Sequence, residues 1–285
     1  MSTLRTIVSK GLRPVADGYY RCRPGIRVLM YHRVRRTTSY DQLSVAPDRF
    51  REQIAYLAMH ERPLSLNAAL DELAVGVQRP GVVVTFDDGY LDNLTEALPT
   101  LERFHIPATI YVTTSFCSQR TRHRRYAEES QRLHLDWDEC RSLARHPLVE
   151  IGSHALTHAS LRHLSGETCA DEIRRSRDEL AAQLNRPVDA FCYPFGDMDT
   201  REVALVREAG YRSAVTVQPG LNRSLATPFQ LRRTEVTDRD DAAALSDKLA
   251  GAYDLPHSLL HWRRMRRQRL AAEAARHSHS GRLSS

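Results

Sequence analysis

The segment "VVVTFDDGYLDNLTEALPTLERFHIPATIYVTT", residues 82–114, carries the clearest indication of the fold class. It begins with an apolar, β-branched run typical of a buried strand, passes through a helical pattern over 92–104, and ends in a second β-branched run over 108–114. A strand, a helix and a strand within about 30 residues predict a βαβ unit, which places two parallel strands in one sheet. Two adjacent acids, Asp87 and Asp88, stand where the first strand ends.

The same alternation of strand and helix patterns continues on both sides of this segment. Further strands are predicted over 26–32, 149–154, 190–196, 211–217 and 231–236, and helices over 44–60, 65–74, 136–146, 166–185 and 200–210. So many alternating units favour an α/β fold of the distorted (β/α) barrel type, with fewer than eight regular strands. Alternation alone leaves a doubly wound sheet open as well. In both architectures, ligands bind at the carboxyl ends of the parallel strands.

Length and composition are those of a folded, globular protein. The chain has 285 residues, of which 41% are hydrophobic and 27% are charged, and this is enough for one large or two small domains. We expect a basic lead-in over 1–25, one domain over 26–250, and a basic helical or partly disordered tail over 251–285. No apolar run approaches the roughly 18 residues of a membrane span, and the start has no signal-peptide core. We therefore expect a cytoplasmic protein, or one at the inner face of the membrane.

Charge and cysteine usage limit the partners. The formal net charge of +6 comes almost entirely from arginine, with clusters in "RHRR" at 122–125 and "HWRRMRRQR" at 261–269. We expect the first cluster to be a solvated loop or a contact for an anionic glycan or lipid phosphate. The second is interpreted as a surface helix or as a basic amphipathic helix on an anionic membrane. No nucleic-acid partner is expected, and five scattered cysteines without CxxC spacing indicate reduced thiols.

Polar residues follow several predicted strands at the point where each strand ends. Besides Asp87 and Asp88, His32 follows the first strand, and His154 and His158 lie at and beyond the end of another. Carboxylates and imidazoles are ligands expected of zinc or a similar divalent metal, which in catalytic sites commonly has three protein ligands. Taken alone, an Asp-Asp-Gly sequence is more typical of a turn or a helix cap. Two histidines four residues apart, taken alone, are more typical of helix caps or of hydrogen-bonded core residues. Their joint appearance favours a metal site in which one aspartate binds the metal and its neighbour reaches the water that the metal acidifies.

Three motifs resemble a known family. "TFDDGY" at 85–90, "SHALTH" at 153–158 and "YPFG" at 193–196 are similar to the first three motifs of the polysaccharide deacetylases, carbohydrate esterases related to chitooligosaccharide deacetylase. The resemblance covers roughly residues 26–240. It implies a distorted (β/α) barrel, and it implies that 26–250 is a metal-dependent deacetylase domain.

The resemblance also implies a role for each matching residue. Asp87 is expected to be the general base, and Asp88, His154 and His158 are expected to bind a divalent metal, with zinc the first choice. The backbone N–H of Phe195 is expected to help hold the oxyanion that forms when water attacks an acetyl group. Candidate substrate-binding residues are Tyr193, Pro194 and Arg233.

The sequence departs from the family in the third motif and beyond it. Cys192 stands where members often carry an arginine, and the late Asp-Trp and Leu-x-His motifs are not recognisable. Either the enzyme is impaired or other residues supply these groups. His32, in "LMYHRV", resembles the histidine that serves as the acid in the circularly permuted poly-N-acetylglucosamine deacetylases. Arg233 or Arg232, at the end of the last predicted strand, is a candidate to orient Asp87.

The expected function is removal of acetyl groups from N-acetylated sugars of an exopolysaccharide, a cell-wall glycan or a lipid-linked precursor. Alternatives are an O-acetyl esterase, a deformylase acting on a lipid-linked sugar, and, in another class, an inactive carbohydrate-binding protein. The expected partner is an N-acetylated glycan or glycolipid, with peripheral membrane contact through the basic tail. Four other histidines lie in polar or helical segments and are expected to be solvated surface residues: His123, His134, His146 and His163.

Overall fold

A computed structural model describes residues 24–254 of the chain. The predicted tail beyond residue 254 and nearly all of the predicted lead-in lie outside these residues, so the domain limits stay a prediction. Nine strands lie within this part of the chain: β1 Ile26–Tyr31, β2 Arg33–Val34, β3 Ser44–Val45, β4 Gly81–Phe86, β5 Ala108–Val112, β6 Val149–Ser153, β7 Ala190–Cys192, β8 Ser213–Val215 and β9 Arg233–Glu235. None of the helices over 24–254 is long and apolar enough to cross a membrane.

Eight α-helices accompany these strands in the described part of the chain. They are α1 Pro47–His60, α2 Leu66–Val75, α3 Leu98–Phe104, α4 Thr114–Cys117, α5 Trp137–Arg145, α6 Gly166–Leu184, α7 Thr200–Glu208 and α8 Ala242–Leu249. A π-helical turn, Asn93–Ala97, precedes α3, and 3-10 turns occupy Arg124–Tyr126, Leu161–His163, Pro194–Gly196 and Pro228–Gln230. Local chemistry explains several starts. Pro47 occupies the first turn of α1, where its missing N–H costs no helical bond, and Ser65 caps α2 by accepting from the Ala68 N–H at 3.2 Å.

The strands form a nearly closed parallel barrel. Seven of them are ordered β8-β7-β6-β5-β4-β1-β9, and each neighbouring pair is parallel. Just before β9, Leu231 forms a parallel bridge with Val215 in β8, which brings the last strand back to the far edge. The prediction of a distorted (β/α) barrel with fewer than eight regular strands is confirmed. The short strands β2 and β3 pair separately, beside the mouth of the barrel.

Burial on both faces of the sheet explains why the sequence of β4 is almost continuously apolar. All six residues of β4 are buried. Val82, Val84 and Phe86 belong to the core between the sheet and its helices, whereas Val83 belongs to a second core with Val28 on the neighbouring strand. Successive side chains of a strand point to opposite faces, so a barrel strand covered outside and filled inside has no polar face.

The boundaries differ from the predictions mainly near the barrel mouth. The predicted strand 190–196 forms only three ladder residues before the 3-10 turn begins at Pro194, which has no N–H to donate. The predictions also lacked α4, α8 and the small sheet of β2 and β3. These elements are short, and α8 follows a stretch without a clear apolar period.

Candidate active site

Several strand ends meet at one pocket. It has a volume of about 520 Å³ and lies at the carboxyl ends of the barrel strands, where the fold predicts a ligand. Its lining includes His32 after β1, Asp87 and Asp88 after β4, and His154 after β6. The structure therefore brings together residues that are more than 120 positions apart in the sequence.

A tight turn separates the two aspartates. The Asp87 N–H still continues the sheet by donating to the Tyr31 carbonyl at 3.0 Å. Asp88 and Gly89 then both have positive φ, 70° and 61°. A Cβ at Gly89 would also lie only 3.2 Å from the side chain of Val112, so glycine suits this position for both conformation and space. The abrupt turn lets neighbouring carboxylates face different groups.

Asp87 is held by a buried bidentate ion pair. Arg233 donates from Nη1 and Nη2 to the two Asp87 oxygens at 2.6 and 2.7 Å, and its Nε donates to the Thr216 carbonyl at 2.8 Å. The Arg233 side chain has no exposed surface. Burial disfavours the ionised carboxylate, but the charge and hydrogen bonds of Arg233 outweigh this, and the pKa of Asp87 lies below its ordinary value of 3.8. Asp87 is thus kept as an oriented carboxylate.

Arg233 also contacts Cys192, the residue at which the third motif departs from the family pattern. Its Nη2 lies 3.1 Å from the Cys192 Sγ. Arg233 of β9 thus places a guanidinium group beside Cys192 of β7, the position at which family members often carry an arginine. Arg232, the other sequence candidate, is exposed, and its Nη1 donates to the Pro219 carbonyl at 3.3 Å. Of the two arginines, the structure places Arg233 against Asp87.

Asp88, His154 and His158 form a group that could hold a metal ion. The Nε2 atoms of the two histidines lie 3.5 and 3.3 Å from Asp88 Oδ1, a buried oxygen without a hydrogen-bond partner in the structure. His154 Nδ1 lies 2.8 Å from the Cys192 carbonyl, which fixes the proton on Nδ1 and leaves a lone pair on Nε2. Burial lowers the pKa of His158 to about 3, so its ring is also neutral near pH 7. Lone pairs of three ligand atoms therefore converge, and a divalent cation fits between them.

A second group of ligand-type residues, Asp87, His154 and Cys192, fits a cation less well. Both oxygens of Asp87 already accept from Arg233, whose positive charge would repel a metal there. Burial raises the pKa of the Cys192 thiol well above its ordinary value, which disfavours the thiolate that metals bind. The group around Asp88 is the better metal site.

Glu172, which belongs to no recognised sequence motif, supports the loop that carries His154 and His158. This buried carboxylate of α6 accepts from the N–H groups of Leu156 and Thr157 at 3.1 and 2.9 Å and from the Thr157 hydroxyl at 2.7 Å. Ala155 and His158, on either side, have φ of 63° and 60°, a conformation that is costly for residues other than glycine. The three hydrogen bonds stabilise that loop geometry.

His32 and Phe195 lie at the opening of the pocket. His32 Nε2 is 3.9 Å from Asp87 Oδ2, and its side chain is 15% exposed. The Asn93 side chain donates to the His32 carbonyl at 2.8 Å and fixes the backbone there. Phe195 is 51% exposed, has φ of 60°, and places its ring 4.6 Å from that of His158. Both residues are accessible to a substrate.

The candidate substrate-binding residues occupy different depths. Tyr193 lines the pocket but has no exposed surface, and its ring packs against Phe191 at 5.3 Å. Pro194 is buried in the 3-10 turn. Direct contact of Tyr193, Pro194 or Arg233 with a sugar stays a prediction, and Arg233 is engaged with Asp87.

The prediction that His123 and His134 are solvated surface residues is wrong. His134 is 2% exposed, with its ring stacked on those of Tyr90 and Phe116 at 4.7 and 4.3 Å. His123 lines the pocket, 4.0 Å from Asp88 Oδ2. Sequence patterns missed them because the segment 118–134 contains little regular structure, so its contacts depend on distant residues.

The other two histidines behave differently. His163 is exposed, as expected. His146 is partly buried, and its Nε2 faces a carboxylate oxygen of Glu102 at 2.9 Å, so the expectation of a merely solvated side chain is wrong in this detail.

Comparisons with known proteins agree with this fold. Residues 75–214 match the family model described as polysaccharide deacetylase. YxkH of Bacillus subtilis (strain 168), designated a polysaccharide deacetylase, is 24% identical over 229 residues, which are 79% of this chain and 75% of that protein. The poly-beta-1,6-N-acetyl-D-glucosamine N-deacetylase of Escherichia coli (strain K12) is 25% identical over 212 residues. That match covers 63% of this chain but only 32% of the relative.

Solved structures show the same fold. The Streptococcus pyogenes deacetylase PplD, solved in complex with acetate, superposes with a TM-score of 0.70 at 22% sequence identity. The superposition covers 79% of this chain and 98% of PplD.

A barrel with a carboxylate–histidine group that could hold a metal, and an oriented second carboxylate at its mouth, is typical of metal-dependent hydrolases. Residues 75–214 are a polysaccharide deacetylase domain, which places this chain among the hydrolases.

Proposed function

We propose that this protein removes acetyl groups from N-acetylated sugars of a polysaccharide or lipid-linked glycan, releasing acetate and leaving an amine. One arrangement carries the proposal. Asp87 is oriented by Arg233, faces His32, and is adjacent in sequence to Asp88 of the candidate metal group. A base, a candidate acid and a metal group thus share one pocket, which is the set of groups that amide hydrolysis needs.

Asp88, His154 and His158 would hold the divalent metal, and zinc suits this set of two imidazoles and one carboxylate. When bound, such a metal polarises a carbonyl and makes water more acidic. His154 keeps its Nε2 available by donating from Nδ1 to the Cys192 carbonyl. Glu172 holds the backbone between the two histidines.

Asp87 is the proposed general base. Water that attacks the acetyl carbon gives a proton to the Asp87 carboxylate as the new C–O bond forms, and Arg233 keeps that carboxylate ionised and oriented beforehand. The tetrahedral oxyanion is proposed to accept a hydrogen bond from the backbone N–H of Phe195.

His32 is the proposed acid. As the C–N bond breaks, His32 gives a proton to the leaving nitrogen, so the products are acetate and an amine. Its Nε2 lies 3.9 Å from Asp87 Oδ2, so the same side of the substrate can receive and return a proton. The partly exposed position of His32 at the pocket mouth supports contact with the sugar.

The N-acetylated substrate class is supported by the E. coli relative, an N-deacetylase of poly-beta-1,6-N-acetyl-D-glucosamine. We therefore propose a hexosamine polymer of the exopolysaccharide type as the substrate. Contact between the tail beyond residue 254 and a membrane stays a prediction.

Acetate release tests this proposal. Purified protein should contain about one zinc per chain. It should release acetate from β-1,6-linked N-acetylglucosamine oligosaccharides, but not from matched oligosaccharides that carry O-acetyl groups and no N-acetyl groups. A chelator should abolish release, and added zinc should restore it. Release from the O-acetylated series alone would establish an esterase instead, and binding without release from either series would favour an inactive carbohydrate-binding protein.

Single substitutions test the proposed roles. Asp87→Asn and His32→Gln should each lower kcat by about 100-fold or more, the usual contribution of a general base or acid. His163→Gln, at an exposed histidine away from the pocket, should leave kcat unchanged. Full activity in His32→Gln would remove His32 from the mechanism.

A further inference from the structure

A buried imidazole connects the Asp88 turn to the segment that forms one wall of the pocket. His134 lies between the rings of Tyr90 and Phe116, both of which stack on it. The His123 N–H points at His134 Nε2 at 3.3 Å, and the Asp88 carbonyl lies 3.1 Å from His134 Nδ1. An N–H can only donate, so Nε2 accepts and Nδ1 carries the proton that bonds the carbonyl. His134 is therefore a neutral bridge between the two backbones.

A second set of contacts holds the same wall from the outside. The Tyr126 ring lies between two guanidinium groups, with the carbons of Arg33 and Arg35 each 4.8 Å from its centroid. The Tyr126 hydroxyl donates to Asp41 at 2.6 Å, and Arg125 also contacts Asp41 at 2.9 Å. These contacts hold the segment 122–126 in a defined position. The segment is therefore not simply the solvated loop expected from its charge.

These contacts present His123 to the pocket. Its side chain is 13% exposed, and its Nε2 approaches Asp88 Oδ2 at 4.0 Å. The histidines of the candidate metal group instead approach Oδ1 of the same carboxylate. His123 is not part of that group, whose ligand atoms all lie within 4.8 Å of one another. Its ring therefore faces the space beside the metal position, which a substrate would occupy.

We propose that His123 is a substrate-contacting residue that hydrogen-bonds a hydroxyl or acetamido group of the sugar, and that His134 is the positioning residue that holds it there. A neutral imidazole offers one donor and one acceptor, which suits an uncharged sugar. The inference rests on the proposed function, because it takes the pocket to bind an N-acetylated sugar.

Kinetics of His123→Ala provide the first test. With a β-1,6-linked N-acetylglucosamine tetramer, KM should rise about tenfold, as expected for the loss of one or two hydrogen bonds to a neutral group. The value of kcat should stay within about twofold, and zinc affinity, measured by competition with a chromophoric chelator, should not change. His123→Gln, which keeps a donor and an acceptor, should recover part of the affinity. Arg124→Ala, at an exposed neighbour, is the matched control.

Two variants test the positioning role of His134. His134→Phe keeps a ring between Tyr90 and Phe116 but removes both hydrogen bonds, and it should raise KM about as much as His123→Ala. His134→Asn places an amide donor where Nδ1 was and cannot reach the His123 N–H, so it should also raise KM while zinc affinity stays unchanged. A wild-type KM in both variants would overturn the positioning role, and His134→Asn covers the case in which His134→Phe does not fold.

Other outcomes overturn the role of His123 itself. A fall in zinc affinity in His123→Ala would make it a metal ligand, and an unchanged KM would remove it from substrate binding. If the wild-type protein released no acetate, the proposed function would fail separately. Calorimetric binding of the tetramer to chelator-treated wild type and His123→Ala would then decide: about tenfold weaker binding by the variant supports the inference, and equal or absent binding overturns it.

Discussion

The two sides of the pocket are built differently. On the strand side, Asp87, Asp88 and His154 follow strands of the barrel, and the buried Arg233 fixes Asp87. On the loop side, residues 118–134 are held by side-chain hydrogen bonds, ring stacking and arginine contacts with Tyr126. The strand side thus positions the proposed catalytic and metal-binding residues at the ends of hydrogen-bonded strands. The loop side holds groups for recognition in contacts that can change without disturbing the barrel.

The largest effect is expected on the strand side, from Arg233→Met. Removing the guanidinium leaves Asp87 buried and unpaired, which should lower the free energy of unfolding by about 3–5 kcal/mol and abolish acetate release. Urea denaturation measures the first effect. Arg233→Lys should be intermediate, because one ammonium cannot replace two parallel hydrogen bonds. Arg232→Met, at the exposed neighbour, should change stability by no more than about 0.5 kcal/mol.

If Arg233→Met were as stable as the wild type, the strand side would not depend on this ion pair. The contrast between the two sides would then have to rest on the backbone ladder alone.

The next effect concerns the loop between the metal-group histidines. Glu172→Ala removes the acceptor of three hydrogen bonds, so the backbone at Leu156 and Thr157 should loosen. We expect zinc affinity to fall about tenfold, as is common when groups that orient metal ligands are removed. Chelator competition measures it, with Glu167→Ala, at an exposed position of the same helix, as the control. Equal zinc affinity in both variants would show that the loop keeps its geometry without Glu172.

A smaller effect is expected on the loop side, from Tyr126→Phe. The variant keeps the ring between Arg33 and Arg35 but loses the hydrogen bond to Asp41, and stability should fall by about 1 kcal/mol. Zinc affinity should not change, whereas KM for the tetramer should rise modestly. Tyr40→Phe, at a half-exposed tyrosine, serves as the control. A loss of zinc in Tyr126→Phe would mean that the two sides are not independent.

The smallest effect is a pH dependence at Asp41. Partial burial acts to raise its pKa, but hydrogen bonds from Ser44 and Tyr126 outweigh this and hold the pKa below 3.8. A carboxyl group with a depressed folded pKa stabilises the protein above its unfolded pKa of about 3.9, and this contribution is lost as pH falls through the folded value. The stability difference between wild type and Asp41→Asn should therefore be larger at pH 6 than at pH 3, as thermal unfolding can measure. A difference that grows on acidification would contradict this assignment.

A feature could be predicted from the sequence when it depended on residues close together in the chain, and not when its partners were distant. The strand preceding Asp87 was readable because burial on both faces demands a continuous apolar run, and the positive φ of Gly89 agrees with the motif that contains it. The bounds of β7 were not readable, since Pro194 ends the ladder early. Glu172 and His134 had no readable signal, because their partners lie 11 to 46 residues away along the chain.

The amino-acid sequence was enough to predict the alternation of strands and helices, the barrel class, and the positions of Asp87, Asp88, His154 and His158 at or just beyond strand ends. These follow from periodicity and from motifs, which are local. Two features became known only from the folded structure: Arg233 rather than Arg232 meets Asp87, across 146 residues, and His123 faces the pocket. Barrel closure sets which side chains of β9 point inward, and packing of 118–134 brings His123 to the side of Asp88 away from His154 and His158. No local pattern encodes either, because both depend on contacts between segments that meet only in the folded chain.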